Sequence, residues 1–283
     1  MRVTLLGTGN PRPLLDRFGP STLVEVGEEA LLFDCGRGAA QRLFSRDRIA
    51  AVTDVFLTHL HSDHVVGLAD LWLTGWIFRR RGGLRVHGPP GTRELCDHLR
   101  AAHAFDLRAR QEFSAHTAPG DAGLEGGDLK PGTAFHGTST VTAFEVDHGP
   151  VRPAYGYRID AAGRSVVLSG DTVKSDAVIR AARGCDVLVH EVAAASEDAQ
   201  RKSEFTRQVL TYHTSPEAAG EVFTAARPRL AVYSHLVLLG GFTEEELVAR
   251  TRTTYDGPLE VGVDGLTVEI GDSISVHRPA PGP

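Results

Sequence analysis

Short apolar runs with the period of an extended strand dominate the first third of the chain. Residues 2–6, 22–26, 30–33 and 54–57 are rich in Val, Leu and Phe and are set off by Gly, Pro or Asp, the residues that punctuate strands. The period then changes. From about residue 65 to residue 81, Leu68, Leu71, Trp72, Gly75, Trp76 and Phe78 recur at the i, i+3, i+4 spacing of a helix with one buried face, and Gly82-Gly83 ends it. Further helical patterns cover 93–101, 175–183, 216–226 and 243–254, and further strand patterns cover 140–146, 154–159, 165–168, 187–190, 231–234 and 266–270. Both halves thus run strands first and helices after. Two sheets packed face to face with helices outside, a four-layer αββα sandwich of the α/β (α+β) class, accommodate that order. Pattern alone does not separate it from other α/β arrangements. Residues 104–138 and 193–211 follow neither period and are too long for plain connections, which suits lid or substrate-loop roles. No repeat or linker divides the chain, so one domain over 1–278 with a loose Pro-Gly tail at 279–283 is expected.

Composition narrows the partners. With 283 residues, 41% hydrophobic and 23% charged, the chain has the make-up of a globular protein with a sizeable core. The net charge of −6 offers no basic footprint for counterion-releasing contacts, which makes nucleic acid an unlikely partner on this reading. No 18-residue apolar run exists to cross a membrane. The chain opens directly on a strand-like run without the marks of a secretory signal, so a cytoplasmic location is expected. Cys35, Cys96 and Cys185 are odd in number and form no C-x-x-C pair, as reduced, buried thiols would.

The strongest chemical signal is Thr58-His59-Leu60-His61-Ser62-Asp63-His64, between the strand pattern at 54–57 and the long helical pattern. Imidazole nitrogens and a carboxylate oxygen suit zinc, and a tight strand-to-helix turn can aim alternate side chains at two adjacent ions: His59 and His61 at one, Asp63 and His64 at the other. Such a cluster leaves both coordination shells open. His148 in Asp147-His148-Gly149, Asp171 in Ser169-Gly170-Asp171-Thr172 and His235 each follow an apolar strand pattern, where a loop at the sheet edge can present them. A strand-end His or Asp by itself is more often a cap or turn residue; beside the cluster, these three become candidate ligands. Asp34 reads equally as a carboxylate orienting a ligand histidine and as a turn residue before Gly36.

The pattern H-x-H-x-D-H, then D-H-G, S-G-D-T and S-H, resembles the metallo-β-lactamase superfamily. Leu6-Gly7-Thr8-Gly9, the segment from Leu32 to Gly38, His190-Glu191-Val192-Ala193 and Tyr212-His213-Thr214-Ser215 resemble its tRNase Z branch. The resemblance implies the αββα fold and two Zn2+ ions, with Mn2+ or Fe2+ left open. One ion would be held by His59, His61 and His148 and the other by Asp63, His64 and His235, with Asp171 bridging. Ions roughly 3.5–4 Å apart would share a hydroxide as nucleophile. The resemblance further makes Asp63, His213 and Glu191 the catalytic candidates, His213 oriented by Glu191 and placed to protonate the leaving oxygen. A homodimer is likewise an expectation taken from the family.

For the substrate, the branch's long tRNA-gripping arm, inserted between the D-H and S-G-D motifs, has no room here, because only a hairpin-like stretch separates Gly149 from Gly170. The segments His213–Glu217 and Pro228–His235 resemble the zinc-dependent arylsulfatases and phosphodiesterases of the branch, and Leu236-Val237-Leu238-Leu239 could floor an apolar pocket for a leaving group. The expectation is therefore a small anionic ester, an aryl sulfate or phosphodiester. A tRNase Z-type endonuclease and a lactonase or thioesterase are the alternatives.

Overall fold

The computed structural model of the chain describes residues 1–113 and 119–279; His116 and residues 280–283 of the expected tail lie outside the described residues. In chain order the strands are β1 (Arg2–Gly7), β2 (Ser21–Val26), β3 (Glu29–Phe33), β4 (Asp54–Phe56), β5 (Leu84–Gly88), β6 (Leu124–Asp128), β7 (Gly132–His136), β8 (Thr140–His148), β9 (Val151–Ala161), β10 (Arg164–Leu168), β11 (Val187–Ala195), β12 (Leu230–Leu239), β13 (Leu259–Val261), β14 (Thr267–Ile270) and β15 (Ile274–His277). They form an eight-stranded sheet, β15-β14-β1-β2-β3-β4-β5-β6, and a seven-stranded sheet, β13-β12-β11-β10-β9-β8-β7. Within the first, β3 to β6 run parallel; within the second, β10 to β13 do. Parallel neighbours need crossovers, and here these carry the helices Ala39–Phe44, Leu68–Ile77 and Thr92–Ala102 on one side and Asp176–Ala182, Pro216–Ala226 and Glu244–Thr251 on the other. The carboxyl ends of each parallel set therefore share an edge.

Strand alternation builds the layers. Leu31 and Phe33 join the core between the sheets, with Val187 and Val189 from the opposite sheet. Ala30 and Leu32 turn to the helices outside the first sheet, and Leu188 and Ala231 turn to those outside the second. The result is the αββα sandwich expected from the order of elements.

Some boundaries differ for identifiable reasons. The long helix expected over 65–81 is two pieces, Ser62–Val65 and Leu68–Ile77. It ends before the Gly pair because Arg80, 1% exposed, folds back beneath it and its Nη2 donates to the carbonyls of Leu71 and Trp72. Gly75 is required for this, since a Cβ there would lie 1.5 Å from that nitrogen. Trp72 and Trp76 are buried in the core, whereas Phe78 is half-exposed and packs edge-on against Phe44. The stretch 104–138 contains the helix Ala104–Phe113, a short turn at Pro119–Ala122, β6 and β7. Glycines in β6 (Leu-Glu-Gly-Gly-Asp) hid its pairing with β5. The stretch 193–211 holds the end of β11 and the helices Glu197–Lys202 and Glu204–Leu210. Val209 pins the latter against Ala193, Ala195, Val237 and Leu239. Cys35, Cys96 and Cys185 are buried free thiols, and burial raises the Cys96 thiol to about 11.

Candidate metal centre

The loop after β4 is held by a single carboxylate. Asp34, in the left-handed region at φ 57, accepts from the Thr58 backbone N–H at 2.8 Å and from Thr58 Oγ1 at 2.9 Å. The same carboxylate takes His64 Nδ1 at 2.8 Å. Thr58 Oγ1 also lies 3.0 Å from His59 Nδ1. The second sheet grips the loop from its other side, with the Tyr155 N–H donating to Thr58 O at 2.8 Å and the Tyr157 hydroxyl to Leu57 O at 2.6 Å. Asp34 thus acts as the orienting carboxylate and not merely as a turn residue; no motif in the chain singles out Thr58.

The second sheet delivers its candidates one strand end at a time. His148 closes β8 and its Nδ1 donates to the Tyr212 carbonyl at 3.0 Å. Asp171 follows β10 through Gly170, whose φ of 62 and the approach of Tyr155 O to 2.3 Å of a would-be Cβ admit only glycine. Along β11 and β12 the pairing His190–Tyr233 gives way to Val192–Leu236, which leaves one extra residue on β12. That bulge contains His235 at φ 45, and it turns the imidazole toward Asp63 and Asp171. Glu191 lies opposite the bulge. Its Oε2 is 3.0 Å from His213 Nδ1, and its Oε1 accepts the Thr214 N–H at 2.7 Å. Ser215 then caps the helix Pro216–Ala226 by accepting from the Ala218 N–H, which fixes where His213 enters.

These side chains converge. One ligand atom each from His59, His61, His148 and Asp171 lies within 4.8 Å of the others, and the same holds for Asp63, His64 and His235 and for Asp171, His213 and His235. Asp171 Oδ2 is 3.3 Å from His235 Nε2, 3.4 Å from His64 Nε2, and 3.8 Å from both His59 Nε2 and His148 Nε2. His59 Nε2 and His64 Nε2 are buried and have no hydrogen-bond partner, although buried polar atoms nearly always have one. A nitrogen and oxygen set of this kind, with orphaned imidazole nitrogens aimed inward, fits divalent cations. His87, His98, His103, His136 and His277 belong to none of these groups.

Electrostatics agree. Burial works against a charged Asp171, but His235 and His64 beside it hold its carboxyl well below the ordinary range. Burial and the neighbouring His64 lower His59. His213 is lifted to about 9: burial opposes the charge, but the adjoining Glu191 and Asp171 outweigh it. Cations seated beside that imidazole would push the other way.

Residues 29–236 match the β-lactamase superfamily domain. The chain is 38% identical, over 277 residues covering 95% of it and 98% of the relative, to a protein of Mycobacterium bovis named Ribonuclease Z. In structure it is similar to the metallo-β-lactamase fold protein YhfI from Bacillus subtilis, with a TM-score of 0.71, 20% identity and coverage of 94% and 98%. It is also similar to the short form of human tRNase Z, with a TM-score of 0.70, 21% identity and coverage of 96% and 100%.

The relatives overturn two expectations. The aryl sulfate or small phosphodiester reading gives way to its ribonuclease Z alternative, and nucleic acid is no longer an unlikely partner. The relative aligns over 98% of its own length with 95% of this chain, so a short stretch between the motifs does not set the two apart, and a mildly negative net charge says little about the local field at a cleft where Arg12 and three imidazoles stand beside Asp63 and Asp171. Among the described residues, no helix is long and apolar enough to cross a membrane. By the match across its length and by its relatives, the chain belongs to the β-lactamase superfamily, among the tRNase Z-like proteins.

Proposed function

We propose that the protein is a metal-dependent ribonuclease of the tRNase Z type, which hydrolyses a phosphodiester bond in precursor tRNA. The observation that carries this reading is the position of Asp171, grouped with His59, His61 and His148 and 3.3–3.4 Å from His235 and His64 of the second cluster, with the Glu191–His213 pair beside them. His59, His61, His148 and Asp171 would hold one cation, and Asp63, His64, His235 and Asp171 the other; zinc suits the imidazole-rich set, and manganese or iron shares the donor chemistry. Two such ions, when bound, supply Lewis acidity toward phosphoryl oxygens and lower the pKa of water from 15.7 to about 7.

The chain's own groups do the rest. Asp34 and the Tyr212 carbonyl fix the ring orientations of His64 and His148. Glu191 fixes Nδ1 of His213, so that Nε2 is the atom left to give a proton to the departing ribose oxygen. Asp63, beside His235 at 3.4 Å and in the lining of the cavity next to the clusters, would accept a proton of the attacking water.

The test is incubation of metal-quantified protein with a precursor tRNA carrying a 3′ extension. A single endonucleolytic product that disappears when the metal is chelated supports the reading; an intact precursor beside robust hydrolysis of carboxylic esters or lactones would count against it.

A further inference from the structure

A cavity of about 180 Å³ opens directly beside the clusters, with Asp171, His213 and His235 in its lining. His61 and Asp63 line it too, but the side away from the clusters is of a different kind. Val209, Tyr212, Val237 and Leu239 make it apolar, and Phe205 stands at its rim. Phe205 is 70% exposed, yet it is held in place. It lies in the first turn of the helix Glu204–Leu210, which Ser203 caps and whose Val209 packs against β11 and β12. On the other side, Asn10 Nδ2 donates to Leu236 O at 2.6 Å and Asn10 Oδ1 accepts the Arg12 N–H at 3.1 Å, which fixes the loop that brings Arg12 to the same cavity.

We propose that this cavity is a nucleobase subsite in which Phe205 supplies the stacking face. The proposal rests on the ribonuclease reading and names what its cleft recognises. A phosphate seated between the clusters and His213 carries its leaving ribose toward His213, and hence the base of that nucleotide into the apolar wall. An apolar wall with a large exposed ring favours a flat aromatic over a second phosphate, and stacking on a ring tolerates any base because every base has a π face. Arg12 is the cation available to the chain's next phosphate. The polar, charged stretch 193–211 follows no period in sequence, and the position of Phe205 beside the cavity gives the stretch a role.

The test measures binding, not turnover. Adenosine 3′-monophosphate, adenosine 5′-monophosphate and inorganic phosphate are titrated calorimetrically into metal-loaded wild type, Phe205→Ala and Phe205→Trp. One of the nucleotides should bind wild type about tenfold tighter than phosphate does, in line with the usual contribution of one stacked base. Phe205→Ala should lose most of that ratio with phosphate binding unchanged, and Phe205→Trp should keep it. An equal ratio in wild type and Phe205→Ala, or no nucleotide preference at all, overturns the subsite, whether or not precursor tRNA is cut. A preserved ratio beside an uncut precursor would leave the subsite standing and remove only the tRNA assignment.

Discussion

The two sheets contribute to the site in opposite ways. The eight-stranded sheet offers its candidates from one loop, His59, His61, Asp63 and His64, all within residues 58–64, and Asp34 braces that loop at Thr58 and His64. The seven-stranded sheet offers His148, Asp171, Glu191 and His235 from four different strands or strand ends, and His213 from the loop before Pro216. Local chain geometry keeps the first group together. Only sheet pairing, antiparallel from β8 through β9 to β10 and parallel from β10 to β12, and the bulge at His235 bring the second group to it. Asp171 belongs to the scattered group yet lies within 3.8 Å of His59 and His148 in one cluster and of His64 and His235 in the other, so the two contributions meet in one carboxylate.

The largest effect should come from breaking that meeting point. Asp171→Ala is expected to lower metal content at both clusters and RNA cleavage by about a thousandfold or more, as loss of several kcal/mol of metal-supplied stabilisation implies; metal analysis and cleavage rates on the same preparation check it. Next is His213→Ala, which should keep the metal content of wild type while cleavage falls about 10²- to 10⁴-fold, the usual range for a lost general acid. A substrate with a good leaving group should lose less than one with a ribose leaving group. Asp34→Asn should weaken metal binding about 10- to 100-fold through misorientation of His64 and Thr58, readable by competition with a chelator, while His148, oriented by a backbone carbonyl, is untouched.

The smallest effect lies in the first sheet away from the site. Asp54, paired with His87 at 2.9 Å and with Arg85, has its carboxyl lowered to about 2: burial opposes the charge, but the bonds from His87 and Arg85 outweigh it. A carboxyl below its ordinary value of 3.8 stabilises the fold above that value and loses the contribution as pH falls from about 4 toward 2. Asp54→Asn should therefore cost about 1 kcal/mol at neutral pH, after allowance for the half-exposed Arg85, and the difference should vanish in acid denaturation below pH 2. Metal content should not change.

What the sequence disclosed follows the same division. The H-x-H-x-D-H run is legible because its candidates are neighbours, and the strand-end His148, Asp171 and His235 are legible only beside that run, whose open coordination shells call for further ligands. The structure brings all seven together. Hidden from the sequence were the bulge that aims His235, which depends on the partner strand, and the helix end set by Arg80, which depends on a side chain folding back under residues already passed. The strands β6 and β7 were invisible because glycine and polar residues blur their period. The substrate class is not legible from arm length or net charge, because the local lining of the cleft decides recognition.

The most direct test of the two-cation account is diffraction from zinc-loaded crystals, with anomalous maps recorded across the zinc edge. Two peaks roughly 3.5–4 Å apart, one among His59, His61 and His148 and one among Asp63, His64 and His235, with Asp171 between them, are the predicted result. A single peak, or two peaks with Asp171 bound to neither, would contradict it.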